Sequence, residues 1–135
     1  MYKVKVTYHF KNDMMYSLFQ SAILYVVEGK KYDVASQTKG LSKLKRKLVE
    51  GFIRTFITDF EYLIDQGYGK YEMQPDMEKK GGRVYLDIDF PLKEHATYMT
   101  YVNMRKDISL VAEGLKYFME IDIKTGTQLI EGDKD

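Results

Sequence analysis

Between Leu41 and Gln66 the apolar residues recur at intervals of three and four: Leu41, Leu44, Leu48, Phe52, Phe56, Phe60 and Leu63, with Val49, Ile53, Ile57 and Ile64 one step behind. Sustained for about seven turns, this is the period of an α-helix carrying one apolar stripe. Gly67 stands where helices commonly end on a left-handed residue. A helix of that length runs roughly 40 Å at about 1.5 Å per residue, enough to cross a whole domain. Gly51 lies inside it at a cost of roughly 1 kcal/mol relative to alanine, which implies close packing or a bend. A stripe of this kind has to be covered, so the remaining chain must supply an apolar surface.

The remaining chain reads mainly as strands. From Lys3 to Phe10, Val4, Val6, Tyr8 and Phe10 alternate with Lys3, Lys5, Thr7 and His9, the pattern of a half-buried strand. Arg83 to Phe90 alternates in the same way, with Val84, Leu86, Ile88 and Phe90 inward and Tyr85, Asp87 and Asp89 outward, and Pro91 ends it. Tyr68–Met73 and Ala96–Asn103 are strand-like, and Gln74–Gly82 is a polar loop. Two segments admit two readings. Residues 14–36 fit a helix capped by Asn12 or Asp13 and stopped by Gly29, or a hairpin turning at Glu28–Lys31; the β-branched density favours a strand from about Ile23. Residues 108–119 fit a helix capped by Asp107, or a hairpin turning at Glu113-Gly114, and the alternation of Tyr117, Met119, Ile121 and Ile123 favours the hairpin. Thr125-Gly126 reads as a turn. The expected fold class is therefore α+β: one long amphipathic helix packed against an antiparallel β-meander of about five to six strands, the meander spanning residues 68–124 after the first strand. One domain over residues 1–130 with a frayed tail at 131–135 suits a chain of 135 residues.

Composition narrows the functional classes. The chain has no cysteine, which excludes disulfides, thiolate metal sites and cysteine nucleophiles and suits a reducing compartment. No uncharged apolar run approaches the roughly 18 residues of a membrane span, and the start lacks a signal-peptide core, so a cytoplasmic protein with no membrane role is expected. The Lys, Ile and Tyr usage suits a low-GC bacterium or its phage. The net charge of +1 conceals polarity: residues 1–58 carry +7 and residues 59–135 carry −6. Such halves either neutralise each other in the fold or present faces of opposite sign, and a long helix lying beside both halves favours neutralisation.

Two groups of residues stand out as binding candidates. Lys39, Lys43, Lys45, Arg46 and Lys47 crowd the start of the long helix, whereas Asp59, Glu61 and Asp65 lie near its end. This order opposes the helix dipole, so helix stability does not account for it. A contact with an anion, nucleic acid or acidic partner is the functional reading, and a solvated face paired with acids of the second half is the plain one. The second group is aromatic: Tyr85, Tyr98 and Tyr101 fall on expected strands, where outward rings anchor a protein partner or stack bases. Acidic neighbours Asp87 and Asp89 favour protein over nucleic acid on that face.

Catalytic signals are weak. Asp87 with Asp89 and Glu120 with Asp122 would gather four carboxylates if their strands were adjacent. Asp122-Ile123-Lys124 resembles the D-x-K element of metal-dependent nucleases over three residues, which implies Mg²⁺ on the carboxylates; ordinary Asp/Lys alternation on a solvent-facing strand is the stronger reading. His9 and His95 lack metal-ligand spacing, and Asp59 falls on the apolar arc, where a rim position or a pairing with lysine is favoured over a buried carboxylate of shifted pKa. Gly67-Tyr68-Gly69 begins like a dinucleotide fingerprint but has Glu72 at the third glycine position. The expectation is a small non-catalytic protein that binds another macromolecule, with no metal and no cofactor. A protein partner ranks first, nucleic acid bound by the basic helix start second, and a Mg²⁺-dependent enzyme using Asp87, Asp89 and Asp122 last. Sheet edges leave homo-oligomerisation open, with Lys116 or Lys124 as edge protection.

Overall fold

In the computed structural model, residues 1–99 and 120–129 are described. Strand β1, Tyr2–Phe10, leads into helix α1, Asp13–Glu28, a one-turn helix α2, Val34–Gln37, and the long helix α3, Lys43–Gln66. Strands β2, Gly69–Pro75, and β3, Gly82–Phe90, form a hairpin, and β4, Ile121–Leu129, completes the described elements. The sheet is antiparallel throughout, in the order β2-β3-β1-β4. No helix among the described residues is long and apolar enough to cross a membrane.

The α+β class stands, with two corrections. Instead of a meander, β1 lies in the middle of the sheet, bonded to β3 on one side and β4 on the other. The described sheet has four strands where five to six were expected. The register explains the order. Val4, Val6, Tyr8 and Phe10 line up with Ile88, Leu86, Val84 and Gly82 on one side, and with Thr127, Thr125, Ile123 and Ile121 on the other. Thr125-Gly126, expected to turn, runs on as strand because Val6 and Lys5 pair with it.

The second correction concerns residues 14–36, which form α1 and α2 with no strand. Asn12 accepts the Met14 and Met15 amides at 2.9 and 3.3 Å, a side-chain N-cap. Gly29 closes the helix in the left-handed region at φ 68°, where glycine carries no Cβ penalty. Met15, Leu18, Phe19, Ala22 and Ile23 are all buried at helical spacing, so packing overrides the β-branched run that follows. Tyr32 to Ala35, the expected return strand, instead leads into α2, whose start Asp33 caps by accepting the Ser36 amide at 3.2 Å.

Helix α3 begins two residues later than expected, because Ser42 caps it by accepting the Lys45 amide at 3.3 Å, and it ends on Gly67 at φ 73°. Both long helices cover one face of the sheet. Phe19 of α1 and Phe56 of α3 have ring centroids 3.9 Å apart, and Tyr8 of β1 lies beneath both. Phe60 reaches Tyr71 on β2 at 5.7 Å. Residues 95–99 are helical, which removes the start of the strand expected over Ala96–Asn103. The remainder of that segment and residues 108–119 lie outside the described residues.

Candidate binding surface on helix α3

Of the five cations at the start of α3, four are exposed and one is half-buried. Lys39 is exposed in the connection after α2, and Lys43, Lys45 and Lys47 are exposed on the first turns. Arg46 is half-buried and turned toward the core side, where its Nε is enclosed without a hydrogen-bond partner. At about 100° per residue, Lys43 and Lys47 share one flank, Lys45 lies on the other, and Leu44 and Leu48 run between them.

Those leucines overturn part of the sequence reading. A step of four residues is about 400°, so a row spaced by fours drifts around the helix by about 40° each time. Accordingly Leu44 is 69% exposed and Leu48 45%, Phe52 is half-buried, and Phe56 and Phe60 are 6% and 1% exposed. The row winds from solvent into the core. The buried face is instead Val49, Ile53, Phe56, Ile57, Phe60 and Leu63. Gly51 also faces out, and a Cβ built there meets nothing within 4 Å among the described residues, so no packing against them requires it.

The outer face of the sheet is arranged differently. Lys5 pairs in register with Asp87, which pairs with Lys70, and Lys3 Nζ lies 3.4 Å from the Asp89 carboxylate. Strand β1 therefore separates Asp87 and Asp89 from Asp122 on β4, whose carboxylate is 3.2 Å from Lys11 Nζ. Glu120 precedes β4, so the expected gathering of four carboxylates does not form. Among the described residues, no group of three or more His, Asp or Glu is placed to hold a metal ion. His9 pairs with Arg83 and Asp122 across the strands, and burial, then Arg83 and Lys11, lower its pKa below the usual imidazole value.

The tyrosines separate too. Tyr85 does lie on the outer face, half-buried, in register with Thr7 and Glu72. Tyr98 belongs instead to the helical residues 95–99, and its ring stacks on Tyr2 at 4.2 Å. Tyr101 lies outside the described residues. His95 bonds the Tyr2 hydroxyl through Nδ1 at 2.8 Å.

A carboxylate centre escaped sequence reasoning altogether. Glu94 accepts hydroxyl bonds from Thr97 at 2.8 Å, Tyr62 at 3.2 Å and Tyr68 at 3.4 Å. It ties the end of α3 to the turn at Leu92–Glu94. Separations of 26 and 32 residues along the chain hid it. The leucines were more accessible to reasoning, since lysines on both sides and the drift of the four-residue row already set them off. Asp59 is half-buried on the rim of α3, and burial pushes its carboxyl pKa up. No family model, curated protein or solved structure matches this chain.

Proposed function

We propose that this chain is a non-catalytic protein-binding domain whose contact surface is the outer face of α3, centred on Leu44 and Leu48. The observation that carries the proposal is the exposure of two leucines one turn apart, 69% and 45%, between exposed lysines. Exposed apolar side chains are ordinary singly, but a pair aligned on a rigid helix and rimmed by one sign of charge suits a partner that is apolar at its centre and acidic at its edge. Nucleic acid would engage the lysines and leave the leucines in water.

Affinity capture with the tagged chain and with a Leu44→Glu/Leu48→Glu variant tests this, copies of the chain itself being counted as partners. The expected result is a specific protein held by the parent chain and lost from the variant. Equal retention by both chains, or by neither, rejects the surface. Retardation of DNA or RNA at low salt, weakening as salt rises, would assign the lysines to phosphates instead.

A further inference from the structure

We propose that the partner of this face is a second copy of the chain, docked with its own α3 antiparallel across a two-fold axis close to Gly51 and Thr55. The inference rests on reading the outer face of α3 as a protein-binding surface, and it names the occupant.

The spacing is the first argument. Leu44, Leu48, Gly51, Thr55, Thr58 and Tyr62 are all exposed, and they follow one another at steps of four, three, four, three and four. An average repeat of about 3.5 residues is the seam of two helices packed side by side. This seam is distinct from the row that faces the sheet, so α3 carries two packing faces, and among the described residues only one is filled.

Size is the second. Centred between Gly51 and Thr55, an antiparallel pair sets Leu44 against Tyr62 of the second copy, Leu48 against Thr58 and Gly51 against Thr55. Large side chains meet at both ends and small ones at the crossing, where the backbones come closest. That gives Gly51 a reason, since a Cβ there meets nothing within 4 Å among the described residues of its own chain. Tyr62 is also held in place, its hydroxyl bonded to Glu94 at 3.2 Å.

Charge is the third. At about 100° per residue, Lys43, Lys47, Arg54, Glu61 and Asp65 fall on one flank of the seam within about 40° of each other. The flank is basic at its start and acidic at its end. Turned antiparallel, Lys43 comes opposite Asp65 and Lys47 opposite Glu61, and two-fold symmetry repeats both pairs. Arg54 faces its own copy near the axis, with Glu50 one turn away on the same helix as the nearest acid. A parallel pair would set like charge against like. The ordering that opposes the dipole of an isolated helix becomes favourable beside an antiparallel one, because each basic start then lies next to an acidic end.

Light scattering of the full chain over a dilution series tests the proposal. The expected mass is two chains, falling toward one on dilution. Leu44→Glu/Leu48→Glu should lower self-association at least tenfold with an unchanged circular-dichroism spectrum, since both side chains point outward. The Lys43→Glu/Lys47→Glu variant and the Glu61→Lys/Asp65→Lys variant should each be monomeric alone and regain the two-chain mass when mixed, as a flank acidic at both ends then meets one basic at both ends. A parent chain that keeps the one-chain mass throughout, or charge variants that do not associate when mixed, would overturn the antiparallel pair. If the parent chain stays monomeric yet captures a different protein through the leucines, the surface stands and the second copy is excluded as its occupant.

Discussion

The outer face of the sheet and the outer face of α3 are both exposed and both rich in charge, yet they distribute that charge in opposite ways. On the sheet, neighbours alternate in sign across the strands: Lys70, Asp87 and Lys5 in one row, Asp89 beside Lys3 in the next. Asp87 and Asp89 each have a lysine opposite them on the neighbouring strand, the arrangement cross-strand pairs favour. On α3 the signs are separated by the length of the helix, and exposed leucines lie between the cations. A face whose signs alternate from strand to strand has little left to offer a partner. A face segregated by sign keeps its complementarity for another surface, and this is why the functional proposal falls on the helix.

The comparison breaks first if α3 is not held by its inner face alone. Phe56 is buried against Phe19 at 3.9 Å and Phe60 at 5.4 Å. Phe56→Ala is therefore expected to cost about 3–5 kcal/mol of folding stability. Leu48→Ala, on the outer face, should cost under about 1 kcal/mol at protein concentrations where single chains dominate. Urea titration of both variants measures the gap, and near-equal losses would mean that the outer face is covered after all.

Which half of this contrast was legible depends on whether the determining contacts are local. Strands β1 and β3 and the cap Gly67 could be read because alternation and glycine chemistry act over a few residues. The central place of β1 could not, since it rests on pairing with β4 more than a hundred positions away. Ile23 to Val27 reads as strand by side-chain shape, and only burial of Leu18, Phe19, Ala22 and Ile23 against the sheet makes it helix. Helical periodicity announced an apolar arc on α3 wider than the core uses. The drift of the four-residue row and the flanking lysines mark which edge of that arc is bare, but the apolar stripe read as one surface, so Leu44 and Leu48 were counted with the core. Glu94 gave no signal, because its three hydroxyl partners gather only in the folded chain.

Gly51 sharpens the comparison by about 1 kcal/mol. In the Leu44→Glu/Leu48→Glu background, where no second copy contributes, Gly51→Ala should raise stability by up to about 1 kcal/mol, the helix-propensity difference. In the parent background the added methyl meets the crossing point and should weaken self-association. Opposite signs from one methyl group are the signature of a glycine kept for an intermolecular contact. A gain in both stability and association would remove that explanation.

The smallest expected effects are slopes of stability with pH, and the two faces should give slopes of opposite sign. On the α3 rim, burial holds the Asp59 carboxyl above its ordinary value. The folded chain then binds that proton more tightly than the unfolded chain. Stability from this group is greatest when it is protonated and declines as pH rises from about 4 through the raised value. Asp59→Asn should abolish the decline and leave the protein more stable at neutral pH. On the sheet, burial together with Arg83 and Lys11 holds His9 below its ordinary value, against the weaker pull of Asp122 and Asp76. Here the unfolded chain takes up the proton first, so stability declines as pH falls through about 6.5, and His9→Gln should flatten that limb. Melting temperatures of the parent and both variants between pH 4 and 8 separate the two groups. If Asp59→Asn leaves the acid limb unchanged, the carboxylate is as well hydrated in the folded chain as in the unfolded one, and the rim of α3 is more open than its burial implies.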